Sequence, residues 1–374
     1  MNSIVISGTG LFTPEKSISN DELVASFNQY AEQYNIDNAD EIEKGETEAL
    51  AMSSSEFIEK ASGIKSRFVL SKSNILDPQI MAPEFTPRDD SEMSLMCEIG
   101  LAATKQALKA AKLDASEIDL VIVAASNMER AYPAIAVELQ AALGCEGYAF
   151  DMNVACSSAT FGIKTGYDAI FAGTNKKVLM VNPEICSGHL NFRDRDCHFI
   201  FGDVCTAVIL ETQEGALSRN VEDCYAIQEF KMMTQYSNTI RNNFGFLNRQ
   251  ADNPQDLLFK QQGRKVFKEV VPMVVQLIDD VLTSADQDID EIKTLWLHQA
   301  NISMNRLIAK RLLGEESADL QAPNVLDIYA NTSSAGSVIA FHLHREHIQK
   351  GEKGVLCSFG AGYSAGAILL EKVG

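Results

Sequence analysis

The chain is 374 residues long, 46% hydrophobic and 22% charged, which is the composition of an ordinary globular protein large enough for two domains. Its formal net charge of −19 argues against nucleic acid or an anionic membrane surface as the main partner. No run of about 18 apolar residues occurs, so we expect no membrane span, and the first residues lack the pattern of a signal peptide. The eight cysteines form no CxxC pair and show no metal-ligand spacing, so we expect free thiols in a reducing cytoplasm and no bound metal.

The chain begins with a predicted strand and a helix cap. Residues 3–7 have an apolar, β-branched centre at Ile4, Val5 and Ile6, and Gly8 and Gly10 follow them, so we expect the strand to end at these glycines. Residues 19–21 then offer a cap for a first helix.

Two irregular excursions separate this start from the next regular elements. Residues 28–55 are acidic and polar, with helical character around 42–52, and predict a lid, an insertion or a solvated surface excursion. The proline-containing stretch 75–87, part of a second insertion near 75–90, cannot stay regular for long. A helix over 93–112 and a buried strand over 118–124 follow.

A strand-to-helix turn around Cys156 is the most informative local feature. An apolar run before it is typical of a buried strand, and the small residues after it lead into a helix that Gly173 ends. Cys156 would be the first residue of that helix, where unpaired N–H groups and the helix dipole favour a thiolate nucleophile. The alternative, an inert buried cysteine, is the commoner fate of a free cysteine.

Internal similarity divides the chain into two copies of one unit. Three landmarks recur in the same order at offsets of 174 to 177 residues: 117–127 with 291–301, 151–159 with 327–335, and 178–179 with 355–356. We therefore expect an N-terminal half, 1–215, and a C-terminal half, 216–374.

Strands alternate with helices in both halves, which predicts an α/β fold with largely parallel strands. The helices after Cys156 and after Asn331 carry small and apolar residues nearly all round, as expected of helices buried on every side. We place these two helices together at the centre of the molecule, between two sheets.

Polar residues fall at matching ends of the predicted strands. His298 follows a strand that ends at Trp296-Leu297, and Asn331 follows a predicted strand over 327–330. Because sites in α/β proteins form where the carboxyl ends of strands meet, the repeat would bring Cys156, His298 and Asn331 into one cavity. A thiolate, an imidazole and an amide suit acyl transfer from a thioester. Taken singly, His298 is also consistent with a core histidine and Asn331 with a helix cap.

A glycine loop completes the set, because Gly360 and Gly362 allow the backbone around Ala361 to present N–H groups to an oxyanion. Together these segments resemble the β-ketoacyl-acyl carrier protein (ACP) synthase III family, condensing enzymes of the thiolase superfamily. The resemblance runs nearly end to end. Its motifs lie at 6–10, 62–67, 153–159, 201–203, 298–301, 331–333 and 359–362.

The resemblance implies a five-layered αβαβα thiolase fold, a homodimer and a decarboxylative Claisen condensation that yields a β-ketoacyl-ACP. Cys156 would take the acyl group from an acyl-CoA primer, and His298 and Asn331 would bind the malonyl-ACP thioester and promote its decarboxylation. The N–H groups of Cys156 and Ala361 would form an oxyanion hole, and Phe359 would shield the thiolate. Acyl-CoA and malonyl-ACP are substrates, and no cofactor is implied.

The same resemblance gives expectations for the pocket and its partners. Phe57 takes the place of a tryptophan that stacks on the CoA adenine, and Asn301 lies in the pocket. Tyr132 aligns with an aromatic residue that the partner subunit inserts at the end of the acyl pocket, although ordinary loop packing also explains it. Both excursions are longer than in the housekeeping enzyme, which predicts a specialised relative with a medium-chain primer. Three basic residues align with ACP-facing positions, although solvated helix faces explain them equally well: Lys268, Lys310 and Arg311.

Other functions remain open at this point. A thiolase would need a second cysteine at Ser358, whereas Cys357 is one residue early and on the opposite face of a strand. A relative that transfers acyl groups to oxygen, nitrogen or another carbon acceptor without malonyl decarboxylation would keep Cys156 and His298. A papain-like cysteine hydrolase also uses Cys, His and Asn, but its cysteine lies in a CGxCW context that this sequence lacks. A non-catalytic subunit should have lost one of the three residues.

Overall fold

The structure is a computed structural model that describes residues 3–245, 247, 253–314 and 321–374. Within those residues one nine-stranded mixed sheet forms the framework. Its strands are β1 Ile4–Phe12, β4 Leu120–Ala124, β5 Tyr148–Met152, β6 Lys177–Ile185, β7 Asp203–Thr212, β8 Tyr225–Ser237, β11 Ile292–Leu297, β12 Lys353–Gly360 and β13 Gly362–Lys372. Two small sheets pair β2 Lys16–Ser19 with β3 Ser66–Val69, and β9 Ile240–Arg241 with β10 Lys260–Gln261.

The main sheet has the order β11-β12-β13-β8-β1-β7-β6-β4-β5 and consists of two similar portions. In one, β4 runs parallel to β6 and β6 antiparallel to β7; in the other, β11 runs parallel to β12 and β12 antiparallel to β13. This repeated order matches the duplicated landmarks of the sequence. The portions meet at β1 and β8, where Val5 pairs with Ala226 and Ile6 with Tyr225, so the two predicted sheets are hydrogen-bonded into one.

The prediction of largely parallel strands is wrong. Among the strands of the main sheet, parallel pairing is confined to β4 with β5 and β6 and to β11 with β12, while the other pairs are antiparallel. Connection length explains the difference, because parallel neighbours need a crossover of about a dozen residues or more. Ala361 alone separates β12 from β13, so these strands can only fold back on each other.

Helices cover both faces of each portion of the sheet. On β4, Leu120 and Ile122 face an inner core, whereas Val121 and Val123 face an outer core, which is the alternation expected of a strand buried on both sides. The helices are α1 Asn20–Asp37, α2 Ala39–Glu43, α3 Ser55–Ser62, α4 Leu95–Ala111, α5 Ile135–Leu143, α6 Ser158–Phe171, α7 Gln213–Ser218, α8 Gly263–Ser284, α9 Ile302–Leu313, α10 Leu326–Tyr329 and α11 Gly336–Leu343.

The inner core is shared by the two portions and contains α6 and α11, as predicted for central helices. α6 contacts strands of both portions, and α11 contacts β1, β11 and β12. In the second portion, Trp296 and Leu356 face this inner core, while Leu297 and Val355 face α8 and α9. With α4 and α5 outside the first portion, the layers alternate helix, sheet, helix, sheet, helix.

Most of the excursion over 28–55 is exposed to solvent, with Ala31 and Ser53 buried, as one of the predicted alternatives has it, whereas the helices at its two ends pack on the body of the protein. We use the word roof for α1, α2, α3 and the segment between them. Leu23 and Phe27 of α1 are buried in one cluster with Ile58 of α3 and with Phe199 and Phe201. The roof therefore shares its core with residues that precede β7.

The helical character predicted around 42–52 is wrong. α1 ends at Asp37 and α2 ends at Glu43, so residues 44–54 form no helix. Two asparagine side chains of α1 hold this segment: Asn28 exchanges two hydrogen bonds with Ser53, at 2.8 and 3.1 Å, and Asn35 two with Leu50, at 2.8 and 3.0 Å. These amides bond the segment's own backbone groups, which a helix would have used internally.

β1 also runs further than predicted, through both glycines to Phe12. A Cβ at Gly8 would lie 2.3 Å from the carbonyl oxygen of Ala107, and one at Gly10 would lie 2.0 Å from that of Ala103. The glycines therefore let α4 lie directly on the strand. The second insertion is irregular as predicted, with no helix or strand between β3 and α4 in the described chain. None of the described helices combines the length and apolar character needed to cross a membrane.

Candidate active site

Cys156 lies in a tight turn between β5 and α6. The prediction that it is the first residue of the helix is off by two residues, because α6 begins at Ser158. Ala155, just before it, has a φ of 48°, which is unusual for a residue other than glycine. Side chains hold the turn: Asn153 accepts a hydrogen bond from the Ala155 N–H, and Ser158 accepts one from the Val154 N–H, both at 2.9 Å. A local network of side-chain hydrogen bonds therefore holds the turn that carries Cys156.

The environment of Cys156 does not favour the thiolate as strongly as the sequence predicts. Burial raises the pKa of the thiol above its ordinary value, and the carboxylate of Glu184 adds to this rise. Three donors work in the opposite direction: the Ser333 hydroxyl, 3.4 Å from Sγ, and the backbone N–H groups of Ala361 and of Cys156 itself. Burial therefore opposes ionisation of this thiol, and the hydrogen-bond donors around the sulfur act against that effect.

His298 follows β11 directly, as predicted. Its backbone N–H donates to the carbonyl of Cys357 at 2.8 Å, and its ring meets that of Phe359 edge to face, with centroids 5.2 Å apart. The side chain is only 2% exposed. Burial lowers the pKa of His298 to about 4, although a hydrogen bond with the backbone of Ser333 opposes this shift. The imidazole is therefore neutral near pH 7.

Asn331 does not follow a strand, so that part of the prediction is wrong. The preceding residues form the short helix α10, and the Asn324 side chain accepts the N–H of Leu326 at 3.3 Å, which favours a turn at this point. Asn331 is held instead by its own backbone, whose N–H donates to Ile200 at 2.9 Å and whose carbonyl accepts from Gly202 at 3.1 Å. It reaches the expected place by a different route.

These three side chains line one cavity of about 600 Å³, which also contains Phe359 and Gly360. Cys156 comes from the first half of the chain, and His298 and Asn331 come from the second. The wall is largely aromatic and aliphatic. Other residues that line it include Phe57, Phe199, Ile200, Phe201, Phe259, Val266, Phe267, Lys268, Asn301 and Met304.

The remaining predicted residues lie elsewhere. Ala361 is the single residue between β12 and β13; it does not line the cavity, but its backbone N–H is directed toward the sulfur. Lys310 and Arg311 are in the last turn of α9 and do not line the cavity. Tyr132 is 85% exposed and lines a separate groove of about 1160 Å³. It does not line the cavity that contains Cys156.

Asn301 has two structural tasks in addition to its place in the wall. Its Oδ1 accepts the N–H of Ser303 at 2.9 Å and so caps α9, while its Nδ2 donates to the carbonyl of Ala61 at 2.6 Å. The second contact ties the roof to the C-terminal half at the edge of the cavity.

Sequence reasoning missed two residues. Ser333 lies in the motif that contains Asn331, but nothing in the sequence indicates that its hydroxyl reaches the sulfur. The guanidinium carbon of Arg195 lies 3.9 Å from the centroid of the Phe57 ring at the edge of the cavity, and the sequence separation of these residues gives no signal of that contact.

The thiolase alternative does not fit the geometry of β12. Cys357 faces the outer core with Val355 and α8, away from Cys156, and Ser358 donates to or accepts from Ser337 at 2.8 Å. The described residues contain no grouping of three or more His, Cys, Asp or Glu side chains that could hold a metal ion.

Comparison with known proteins agrees with this geometry. The family model described as 3-oxoacyl-[acyl-carrier-protein (ACP)] synthase III matches residues 150–223, and its C-terminal counterpart matches residues 282–372. The chain is 57% identical over 350 residues to a β-ketodecanoyl-[acyl-carrier-protein] synthase of Pseudomonas aeruginosa, covering 93% of this chain and 99% of that one. It is 28% identical to a β-ketoacyl-[acyl-carrier-protein] synthase III of Bartonella henselae, over 98% of both chains.

A solved structure supports the thiolase fold. The crystal structure of 3-oxoacyl-(acyl carrier protein) synthase III from Pseudomonas aeruginosa PAO1 superposes with a TM-score of 0.77 at 22% identity, covering 100% of this chain and 99% of that chain. The order of layers and the duplicated sheet are thus those of the thiolase fold. Together with the sequence relatives, this shows that the chain belongs to the β-ketoacyl-ACP synthase III family of condensing enzymes.

Proposed function

We propose that this enzyme condenses a medium-chain acyl-CoA primer with malonyl-ACP through an acyl-Cys156 intermediate. The observation that carries the proposal is the meeting of Cys156, His298 and Asn331 on one largely apolar cavity. A cysteine with a neutral imidazole and an amide beside it suits acyl transfer followed by stabilisation of an enolate.

In the first step the Cys156 thiolate attacks the carbonyl carbon of the primer. The new bond to Sγ forms, the bond to the CoA sulfur breaks, and the leaving CoA thiolate takes up the proton that the cysteine lost. The N–H groups of Cys156 and Ala361 are assigned to the oxyanion of this step. Their approach to the sulfur supports that role, because donors near the nucleophile lie near the oxygen of the tetrahedral intermediate.

In the second step His298 and Asn331 bind the thioester carbonyl of malonyl-ACP. The carbon–carbon bond to the carboxylate breaks, CO₂ leaves, and the two side chains stabilise the enolate oxygen. Asn331 is oriented for this task because its Oδ1 accepts the N–H of Ser333 at 2.9 Å, which leaves its amide hydrogens free to donate. The enolate carbon then attacks the acyl group on Cys156, and the sulfur departs as a thiolate.

We assign an eight-carbon primer. The relative from Pseudomonas aeruginosa is named for a ten-carbon product, and decarboxylated malonate adds two carbons. The aromatic and aliphatic wall of the cavity supports an apolar chain of this kind. Phe57 remains the proposed stacking residue for the CoA adenine. The Arg195 guanidinium, which lies over the Phe57 ring, would form one side of that stack.

Two partners complete the proposal. Lys268 at the cavity and Lys310 and Arg311 on α9 are assigned to the ACP, as a local basic surface on a chain of net charge −19. Lys310→Glu with Arg311→Glu should raise the KM for malonyl-ACP, and an unchanged KM would contradict this surface.

We also propose a homodimer in which the exposed Tyr132 of one copy closes the acyl pocket of the other. A monomer at assay concentration would contradict this homodimer. The eight free thiols suit the reducing cytoplasm.

The test is a condensation assay with acyl-CoAs of increasing length, malonyl-ACP, and separate measurement of CO₂ and of β-ketoacyl-ACP. We expect kcat/KM to peak at octanoyl-CoA, with one CO₂ released per product. Acyl transfer without CO₂ would instead favour a transferase that forms no carbon–carbon bond. A peak at acetyl-CoA would refute the medium-chain assignment while leaving condensation intact.

A further inference from the structure

Ser333 contacts all three of the residues assigned to the reaction. Its hydroxyl donates to Cys156 Sγ at 3.4 Å, its backbone N–H donates to Asn331 Oδ1 at 2.9 Å, and its backbone forms a hydrogen bond with His298. The side chain is only 2% exposed. The hydrogen bonds of Ser333 to these three residues therefore fix its own position as well as helping to fix theirs.

The backbone of Ser333 adopts a conformation that aims the hydroxyl at the sulfur. Its φ is 50°, a left-handed value that a residue other than glycine adopts only when its surroundings impose it. Asn331 imposes it here by accepting the Ser333 N–H. At this turn the chain passes from α10 toward the central helix α11, and the Ser333 hydroxyl faces the Cys156 sulfur.

We infer that Ser333 is a fourth catalytic residue, whose hydroxyl stabilises the sulfur anion both when Cys156 attacks the primer and when it leaves the acyl-enzyme. This inference rests on the proposed acyl-Cys156 intermediate. A thiolate is a far better hydrogen-bond acceptor than a thioester sulfur, so the bond is strongest in the two states in which sulfur carries charge. Such an interaction lowers barriers rather than stabilising the intermediate between them.

The electrostatics of the cavity give this hydroxyl its importance. Burial and Glu184 both disfavour the anion at Cys156, and the Ser333 hydroxyl, 3.4 Å from the sulfur, opposes them. The backbone N–H donors remain after any substitution at position 333.

The experiment compares Ser333→Ala and Ser333→Gly with the natural protein. The rate of alkylation of Cys156 by iodoacetamide is followed by peptide mass mapping between about pH 6 and pH 10, a range that brackets thiol ionisation. Loss of a hydrogen bond to a charged group should lower the rate at a given pH about tenfold in both variants and move the profile to higher pH. Octanoyl loading should slow by a similar factor and recover as the pH rises. Ser337→Ala, which removes a buried hydroxyl that bonds Ser358, is the matched control and should leave the profile unchanged.

The two variants separate a role of the hydroxyl from a role of the backbone. Glycine relieves the left-handed conformation and alanine does not, so an effect in alanine alone would overturn the inference. Profiles that coincide with the natural one would overturn it as well. The alkylation readout uses no acyl-CoA, so it can fail or succeed independently of the proposed condensation.

Discussion

His298 is the residue at which environment decides chemistry. Its imidazole is buried against Phe359 at the end of β11, and this burial keeps it neutral. It can therefore donate a hydrogen bond to an enolate oxygen without bringing a charge into the cavity. Its position after a strand was predictable from the pattern of apolar residues. Its protonation state was not, because the groups that bury it are remote in sequence.

Replacing His298 should separate the two steps of the reaction. In His298→Ala, malonyl-ACP decarboxylation and condensation should fall by about 10²–10³, the usual cost of one enolate or oxyanion donor, while octanoyl loading changes only a few-fold. His347→Ala removes an exposed histidine and should alter neither rate. Equal losses in loading and condensation would show that His298 acts on Cys156 instead.

The residues that sequence reasoning located best are those that belong to a motif with its own chemistry. Cys156, His298 and Asn331 each sit at a break between regular elements, where a strand or helix ends and a polar side chain is left at its terminus. Sequence reasoning did not find Ser333 or Arg195. Ser333 contacts Cys156, which lies 177 residues away in sequence, and Arg195 contacts the ring of Phe57 in the roof. Spacing along the chain carries no record of such contacts.

Among the elements, the turn from β12 to β13 is the one most tightly fitted to the sulfur. A Cβ added at Gly360 would lie 2.4 Å from Cys156 Cβ and 2.9 Å from Sγ. Gly360→Ala should therefore displace the nucleophile, reduce octanoyl loading by about tenfold or more and lower the free energy of unfolding by about 1–3 kcal/mol. Both follow from a loading assay and denaturant unfolding.

Gly100→Ala is the control for that substitution. Gly100 is also buried, but a Cβ there would meet its nearest neighbour at an ordinary 3.6 Å, and alanine is the better helix former within α4. Stability should stay the same or rise, and loading should not change. If Gly360→Ala behaved like this control, the β12–β13 turn would not position the sulfur.

Element boundaries were predictable wherever a local signal sets them. Ser19 caps α1 with the reciprocal bonds of a capping box to Glu22, and α6 stops just before Gly173, as expected. The helix expected around 42–52 failed because asparagines 15 and 25 residues away bond that segment. β1 continues past Gly8 and Gly10 because α4 packs where side chains at these two positions would lie.

For the whole molecule, duplication was the property most visible in the sequence. Equal offsets between landmarks identify equivalent strands, and the two sheet portions repeat one order of pairing. The offsets do not show how the copies are joined, because the β1–β8 pairing is made between the halves rather than within each. That pairing is the reason why one sheet continues through both.

Buried histidines should make the folded state sensitive to acid. In the unfolded chain an imidazole binds its proton below about pH 6.5, whereas these remain neutral in the folded state, so the unfolded state binds more protons and the free energy of unfolding falls as the pH drops from about 6.5 to about 4. Burial lowers the pKa of these residues to about 4 or about 3: His189, His298, His342 and His198.

Two buried carboxyls oppose this trend. Burial raises the pKa of Glu184 to about 7 and of Asp203 to about 6, so in this range the folded state binds their protons first and gains stability as the pH falls. The histidines are more numerous, and the net loss should be about 1.4 kcal/mol per pH unit for each extra proton on the unfolded chain. Denaturant unfolding across this pH range measures the loss, and a free energy of unfolding that stayed constant or rose as the pH fell would contradict the account.

Glu184→Gln removes one of the two opposing carboxyls and should make the free energy of unfolding fall more steeply with falling pH than in the natural protein.

The most direct test of the central claim is the intact mass of the protein after exposure to octanoyl-CoA, followed by peptide mapping. We expect one octanoyl group per chain, held as a thioester on Cys156, which is lost on adding malonyl-ACP, and no adduct on Cys156→Ala. An adduct that persists in Cys156→Ala, or none with any acyl-CoA on the natural protein, would contradict the claim that residues from both halves build a cavity around one reactive sulfur.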